Sequence, residues 1–553
     1  MTIDAAPPLP DGGPPAGDAT ASVLTAKEQA LWLFLQDAAH SGVLNVPFAV
    51  RLADRVRWWP MNETLMHLIR RHPALRTLFP APDGVPTRQV LDPADPVAAR
   101  PPLHVRATTD HRLDADLKRF AAQPFDLARE LPFRVGQFVC EQGDVLCVVV
   151  SHLVYDAYSA RVLVKELFEL YDTYAAGTAV PDLLAGQVLP PPAGRPGEDS
   201  MRYWRDHLAG AQSGRGDLLI GASESRSPEF PGADVTVTMD AASTAALADL
   251  AERLSLTPSI VALGAFNLLL SQHGMGEDVV IGMPVSARGG RPHGAIGYHV
   301  NIIALRTRLS ADASFHEYLR HTREVFLNGL LHSQVSLDEI RPGSYDDDAA
   351  GGRPLFRHMF NYVADLASSW ETPSGRRLRY HAVPTSHSRL DLEMGITAVE
   401  EGLAIRLAYA TDLFTADEAT ALLDRYQHIL CECAARPDVP VRELDLWTAR
   451  DRRISTAAPA ATPVDAFVGS GYDLVAAWAE RTPTADALVD AQRRLSFHEL
   501  LVAARGRATE LRATGVRAGG SVTVAARGID TLVTALGAWS CGAAVVPSGS
   551  NGA

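Results

Sequence analysis

The stretch that most constrains the fold is Val145-Leu146-Cys147-Val148-Val149-Val150. Six apolar residues in succession leave no polar face for water. A strand buried on both faces accepts such a run, whereas a half-exposed strand alternates. The run ends in Ser151-His152-Leu153-Val154-Tyr155-Asp156-Ala157-Tyr158-Ser159, and Leu163, Leu167, Leu170, Tyr171 and Tyr174 then recur at helical spacing. A covered sheet is therefore required, with polar side chains at one strand end, where a rigid scaffold presents groups to a ligand. A neutral imidazole at His152 can take a proton from an attacking amine or hydroxyl. Asp156 can hold the loop by pairing with a cation from elsewhere. On spacing alone, a satisfied core histidine and a helix-capping aspartate account for the same residues, so both readings stand open here.

At 553 residues the chain exceeds one ordinary core, and two to four compact units are expected. Residues 1–21, rich in Pro, Gly and Asp, read as a flexible leader without the basic and apolar regions of a secretory signal. Two segments that mix strands and helices follow, over 22–190 and 191–450, parted by the Pro/Gly-rich VLPPPAGRPGEDS. In the first, LTAKEQALWLFLQDA and NETLMHLIRRH read as helices, and SGVLNVPFAVRL, TRQVL, LHVRA and LPFRVGQFVC as strands. In the second, MRYWRDHLAGA, ALADLAERL, PSIVALGAFNLLLSQH and ADEATALLDRYQHILCECAA read as helices, and VTVTM, VVIGMPV and NIIALRTRL as strands. A linker is expected over 451–469, containing TAAPAATPVDA, and a short α/β segment over 470–553.

Lys+Arg 51 against Asp+Glu 65 gives a net charge of −14, which argues against a nucleic-acid backbone as partner. No apolar stretch is long enough to span a bilayer, so no membrane role is expected. The five cysteines are few; Cys140 and Cys147 read as core residues, and Cys431-Glu432-Cys433 lacks the second ligand pair of a zinc site. His293, His299, His332 and His358 lack metal-ligand spacing, so no metal is expected. These features together suggest a reducing cytoplasm. The chain lacks GxxxxGK[ST], HExxH, GxSxG and GxGxxG.

SHLVYDAYS resembles the HHxxxDG motif of condensation domains from nonribosomal peptide synthetases. Further stretches are similar to motifs of that family in matching order: LTAKEQALWLF, RRHPALRTLF, MRYWRDHLAG, IGMPVSARGGRPHGAIGYHVNIIALR, LLHSQVSLDEI, RPLFRHMFNY and YATDLFTADEATALLDRY. On these motifs, spread over about 22–445, the chain is identified as a member of the family. The resemblance implies an α/β (α+β) fold of two chloramphenicol-acetyltransferase-like lobes in a V-shaped pseudo-dimer, with a tunnel between them. It implies donor and acceptor peptidyl carrier proteins that present substrates on 4′-phosphopantetheine arms, with no cofactor held by the domain itself. His152 then takes the catalytic role and Asp156 a structural one, paired with Arg288 or Arg76. Tyr155, Tyr298, Asn301 and His332 become candidates for the tunnel wall.

Two residues depart from the family pattern: Ser151 stands for the first motif histidine and Ala157 for the glycine. With Ser159, the reading SHxxxDxxS is closer to that of fungal terminal, cyclising relatives. It satisfies only half of the heterocyclisation motif DxxxxDxxS. The expected reaction is transfer of a carrier-bound acyl or aminoacyl thioester to an amine, with the donor arriving in trans from another synthetase module. Two alternatives remain: a chain-terminating or cyclising domain that takes a soluble acceptor, and a recruitment domain without turnover. The final segment, DLVAAWAERTPTADALVDAQRRLSFHELLVAARGRATELRATGV and ALGAWSCGAAVVPS, resembles the first part of an adenylation domain, without its nucleotide-binding motifs. It is expected to be a small α/β fragment that does not activate an amino acid.

Overall fold

The computed structural model describes residues 21–38, 41–178, 197–211, 218, 227–288, 294–340, 355–363, 369–399, 402–456, 470–489, 493–524 and 529–547. The expected leader before residue 21 and most of the Pro/Gly-rich stretch between the two segments lie outside these. The chain divides into one compact unit up to Thr448 and a second from Ala449.

In the first unit α1 (Ala26–Asp37) begins on a capping box. Thr25 Oγ1 accepts from the Glu28 N–H at 3.4 Å while the Glu28 carboxylate accepts from the Thr25 N–H at 2.9 Å. Next come β1 (Asn45–Leu52), α2 (Trp58–Arg71), β2 (Leu103–Ala107), α3 (Leu113–Ala122), β3 (Phe133–Cys140), β4 (Gly143–Ser151) and α4 (Ala157–Ala176). β4 carries the apolar run and lies antiparallel between β1 and β3, buried along its whole length. Leu146, Val148 and Val150 face α2 and α4, packing with Leu65, Leu68, Leu163 and Leu167. Val145, Cys147 and Val149 face α3, packing with Leu117 and Phe120. Each fully buried Val or Leu contributes roughly 1.5–3 kcal/mol over an exposed one, so neither face tolerates a polar residue. α3 was not foreseen from sequence; only Leu113, Leu117, Phe120 and Ala121 of it are buried.

The remainder of this unit supplies β5 (Gly232–Met239), α5 (Pro258–Leu270), β6 (Asp278–Ser286), β7 (Val300–Arg308), α6 (Phe315–Leu331), β8 (His358–Val363), β9 (Ser369–Glu371), β10 (Arg377–His381), β11 (Leu392–Val399), β12 (Gly402–Ala410) and α7 (Ala416–Ala435). A second six-stranded sheet runs β7-β6-β8-β11-β12-β5. α5 is buried from Ile260 to Leu270, and its Phe266 packs between Phe360 of β8 and Tyr426 of α7. Its all-round apolar character is that of a core helix. Among the described residues no single helix is long and apolar enough to cross a membrane.

β9 and β10 do not join that second sheet. They extend the first, whose order is β9-β10-β1-β4-β3-β2, with Leu378 opposite Leu52. Asp172 near the end of α4 anchors this hairpin, accepting from Thr372 Oγ1 and Arg376 Nε at 2.8 Å each. Arg376 also lies over the Tyr171 ring and reaches Asp54 at 3.2 Å. Part of the stretch 191–450 is thus built into the sheet of 22–190.

The second unit contains α8 (Ala449–Thr456), α9 (Gly471–Arg481), an antiparallel pair β13 (Asp486–Val489) and β14 (Arg494–Ser496), then α10 (Phe497–Ala513), β15 (Ser521–Val524), α11 (Ile529–Ser540) and β16 (Ala544–Pro547), parallel to β15. Its small core joins Leu500, Ala504, Ile529, Val533 and Leu536 between helices. The front of the stretch read as a linker is thus helical as far as Thr456, and 457–469 lie outside the described residues.

Candidate active site

The strand β4 ends at Ser151, and the chain turns through a short 3-10 segment, His152–Val154, before α4. Ser151 Oγ is spent on the turn, accepting from the Leu153 N–H at 3.4 Å. The His152 N–H donates to Leu44 O at 2.8 Å, which ties the turn to the segment before β1. Ser151, Leu153, Val154, Tyr155 and Asp156 are buried, while His152 keeps part of its surface accessible.

His152 Nδ1 lies 2.7 Å from the Tyr155 carbonyl oxygen. A carbonyl only accepts, so Nδ1 carries the proton and Nε2 is left with its lone pair. Burial holds the imidazole below its ordinary pKa; the Tyr155 carbonyl and Asp156 pull upward, and Arg389 pushes down. The ring is neutral near pH 7 and has one tautomer suited to accepting a proton. Tyr298 stands edge-on to it, ring centroids 5.3 Å apart. Lys27 of α1 covers the Tyr298 ring at 5.1 Å and donates to Val300 O at 3.0 Å.

Asp156 is fully engaged in hydrogen bonds. Its Oδ1 accepts from the Ser159 N–H and Oγ, both at 2.7 Å, and from Arg288 Nη2 at 2.8 Å; its Oδ2 accepts from the His299 N–H at 3.0 Å. Ser159 Oγ in turn accepts from the Gly297 N–H at 3.1 Å. Arg288 donates to Ala295 O at 2.7 Å and stacks on Tyr158 at 4.2 Å. A carboxylate that caps α4 therefore also clamps the segment leading from β6 into β7, the segment that bears Tyr298. Of the two arginines named as its partner, Arg288 fills the role and Arg76 does not. Arg76 Nε and Nη1 are buried without a hydrogen-bond partner among the described residues, and burial lowers its pKa.

The other named residues separate. Asn301 donates to Ser333 O and Val335 O, 2.7 Å each, and so pins a turn. His332 caps α6, lies 2.9 Å from Ser200 Oγ through Nδ1, and stacks on Tyr203 at 4.3 Å. Tyr155 is fully buried in the core between the first sheet and α4, its hydroxyl without a hydrogen-bond partner among the described residues. Ala157 is exposed at the start of α4, where its methyl group meets solvent. Among the described residues no three side chains could jointly hold a metal; His293 lies outside them. Lys27 and Arg389 were missed in the sequence because neither falls in a motif next to His152.

The condensation-domain family model matches residues 20–454, and the chain belongs to that family. Over 549 residues it is 29% identical to a protein described as a probable non-canonical nonribosomal peptide synthetase, CymA, of Salinispora arenicola (strain CNS-205), covering 95% of this chain and 7% of that one. It is 29% identical over 551 residues to the N-(5-amino-5-carboxypentanoyl)-L-cysteinyl-D-valine synthase of Amycolatopsis lactamdurans, covering 93% and 14%. The chain thus spans a small part of the curated relatives it matches. Among solved structures, the first condensation domain of the calcium-dependent antibiotic synthetase, in complex with a substrate analogue, superposes with a TM-score of 0.67 at 19% identity, covering 78% of this chain and 99% of that one. At that identity the likeness speaks for the fold.

Proposed function

We propose that this chain joins a carrier-bound acyl or aminoacyl thioester to an amine, forming an amide, with His152 as proton acceptor. The observation that carries the reading is the tautomer: Nδ1 is tied to the Tyr155 carbonyl, so Nε2 alone can meet a substrate. As the amine nitrogen attacks the thioester carbonyl, its proton passes to Nε2. Collapse of the tetrahedral intermediate expels the thiolate, which takes that proton back. An amine near pH 8 is already partly neutral, so holding both reactants together supplies a large part of the rate. Donor and acceptor come on phosphopantetheine arms of carrier proteins in trans, and the domain itself holds no cofactor. The second unit is read as the opening part of an adenylation domain, and the chain as cytoplasmic.

The acceptor is tested by offering one loaded donor carrier together with either an aminoacyl carrier or its free amine, and weighing the product. The proposal expects amide on the carrier-bound acceptor. Product only with soluble amine or alcohol makes this a chain-terminating domain, and no product with either favours recruitment without turnover.

A further inference from the structure

One hydrogen bond does not fix the direction in which His152 Nε2 points. Nδ1 is tied to the Tyr155 carbonyl at 2.7 Å, and a bond of that kind tolerates about 30° of tilt. Nε2 lies across the ring, so a tilt of that size swings it by about 1 Å. Tyr298 closes the side of the imidazole, its ring plane at 85° and its centroid 5.3 Å away. Tyr298 is itself fastened from three directions. Before it, the Gly297 N–H donates to Ser159 Oγ at 3.1 Å; after it, the His299 N–H donates to Asp156 Oδ2 at 3.0 Å. Over its ring lies Lys27 Nζ, 5.1 Å from the centroid and donating to the Val300 carbonyl at 3.0 Å. The buried His299 ring folds back over Gly297, where a Cβ would meet its Nε2 at 2.6 Å, so the backbone before Tyr298 has little slack. Lys27 belongs to α1, which also lies against the His152–Val154 turn, so one helix supports both rings.

We propose that Tyr298, backed by Lys27, is a positioning residue that holds the His152 imidazole in line for the attacking amine. The inference rests on the acyl-transfer reading above. Tyr298 forms and breaks no bond in that reaction, and its hydroxyl is not required. Its ring fills the space into which the imidazole would otherwise tilt. Aromatic rings attract one another edge to face at this separation, so the contact draws the imidazole in as well as blocking it. An ammonium is drawn to the face of a tyrosine ring in turn, and Lys27 thereby keeps Tyr298 from rotating away. Loss of the Tyr298 ring frees about 1 Å of motion at Nε2, and a misplacement of that size costs about 10²-fold in rate. The defect lies in the imidazole, so it falls on kcat. A residue that only contacts substrate would move KM instead.

Four forms of the full chain decide the matter: unsubstituted, Tyr298→Leu, Tyr298→Phe and Lys27→Met. Tyr298→Leu should lower kcat by about 10- to 10²-fold, with KM within about threefold. Tyr298→Phe keeps the ring and should recover most of that loss. Lys27→Met keeps the stem without the charge and should lower kcat by a smaller factor. Nitrogen NMR of the His152 ring near pH 7, without substrate, reads its placement apart from turnover. In the unsubstituted chain Nδ1 and Nε2 should give the well-separated signals of a protonated and a bare nitrogen. In Tyr298→Leu, and to a lesser extent in Lys27→Met, the two should draw together as the ring leaves the Tyr155 carbonyl. The assignment is overturned if folded Tyr298→Leu keeps kcat within about twofold, loses only in KM, or leaves the nitrogen signals unmoved, or if Tyr298→Phe is as slow as Leu. Should Tyr298→Leu not fold, Lys27→Met carries the same decision, and unchanged kcat with unmoved nitrogen signals overturns the assignment there. A failure of the acyl-transfer reading looks different: His152→Ala then turns over as fast as the unsubstituted chain. A failed Tyr298 assignment leaves His152→Ala slow and Tyr298→Leu fast.

Discussion

Replacing Arg288 with Met removes the cation from a site that cannot dispense with it. Asp156 and Arg288 expose 7% and 10% of their side chains, so neither charge is well solvated. Without the guanidinium, Asp156 keeps three donors, the N–H groups of Ser159 and His299 and the Ser159 hydroxyl. These soften the loss without supplying a positive charge. Breaking a buried pair from one side costs about 3–5 kcal/mol, and the remaining donors place this case near 3. Asp156→Asn keeps the shape and removes the opposite charge, so the double variant no longer buries a lone carboxylate. It should recover at least about half of the single-variant loss, because contacting partners do not add. The assay is urea unfolding of all four forms followed by tryptophan fluorescence, read as a double-mutant cycle. A loss under about 1 kcal/mol for Arg288→Met, or losses that simply sum, would refute the clamp. Because the clamp also holds Gly297 and His299 on either side of Tyr298, kcat should fall in the same variant.

Tyr155→Phe removes a buried hydroxyl that has no partner among the described residues, and should leave stability unchanged or raise it by up to about 1 kcal/mol in the same melts; a clear loss would reveal a further bond. The proposed acyl transfer requires neutral His152, whose pKa is held below the ordinary 6.5 or so by burial. The acid limb of kcat against pH should therefore lie below about 6.5, and a limb above it contradicts the assigned environment. The same shift destabilises the fold in acid. The unfolded ring binds its proton at higher pH than the folded one, so the loss begins as pH falls through about 6.5 and levels off below the folded pKa.

Much of the site's frame was legible because it is local in sequence. An uninterrupted apolar run, a polar loop and a 3.6-residue pattern specified β4, the turn at His152 and α4 without reference to the rest of the chain. Long-range pairing was less legible. Arg288 and Arg76 were equal candidates for Asp156, since each follows a motif and sequence carries no distance between them. The two-sheet exchange was invisible for a similar reason: β9 and β10 are three and five residues long, too short for a pattern, and which sheet edge they join depends on Asp172 far upstream. Tyr155 shows the opposite error. Lying between two functional residues of a motif, it looked like tunnel wall, whereas backbone geometry turns its ring into the core.

The proposed chemistry depends most directly on His152. Rates of amide formation from a loaded donor carrier and an amine acceptor, measured for the unsubstituted chain and His152→Ala at saturating substrate, test it. A fall in kcat on the order of 10²–10⁴ is expected in a variant whose urea melt is unchanged. Near-full activity in that folded variant would contradict it.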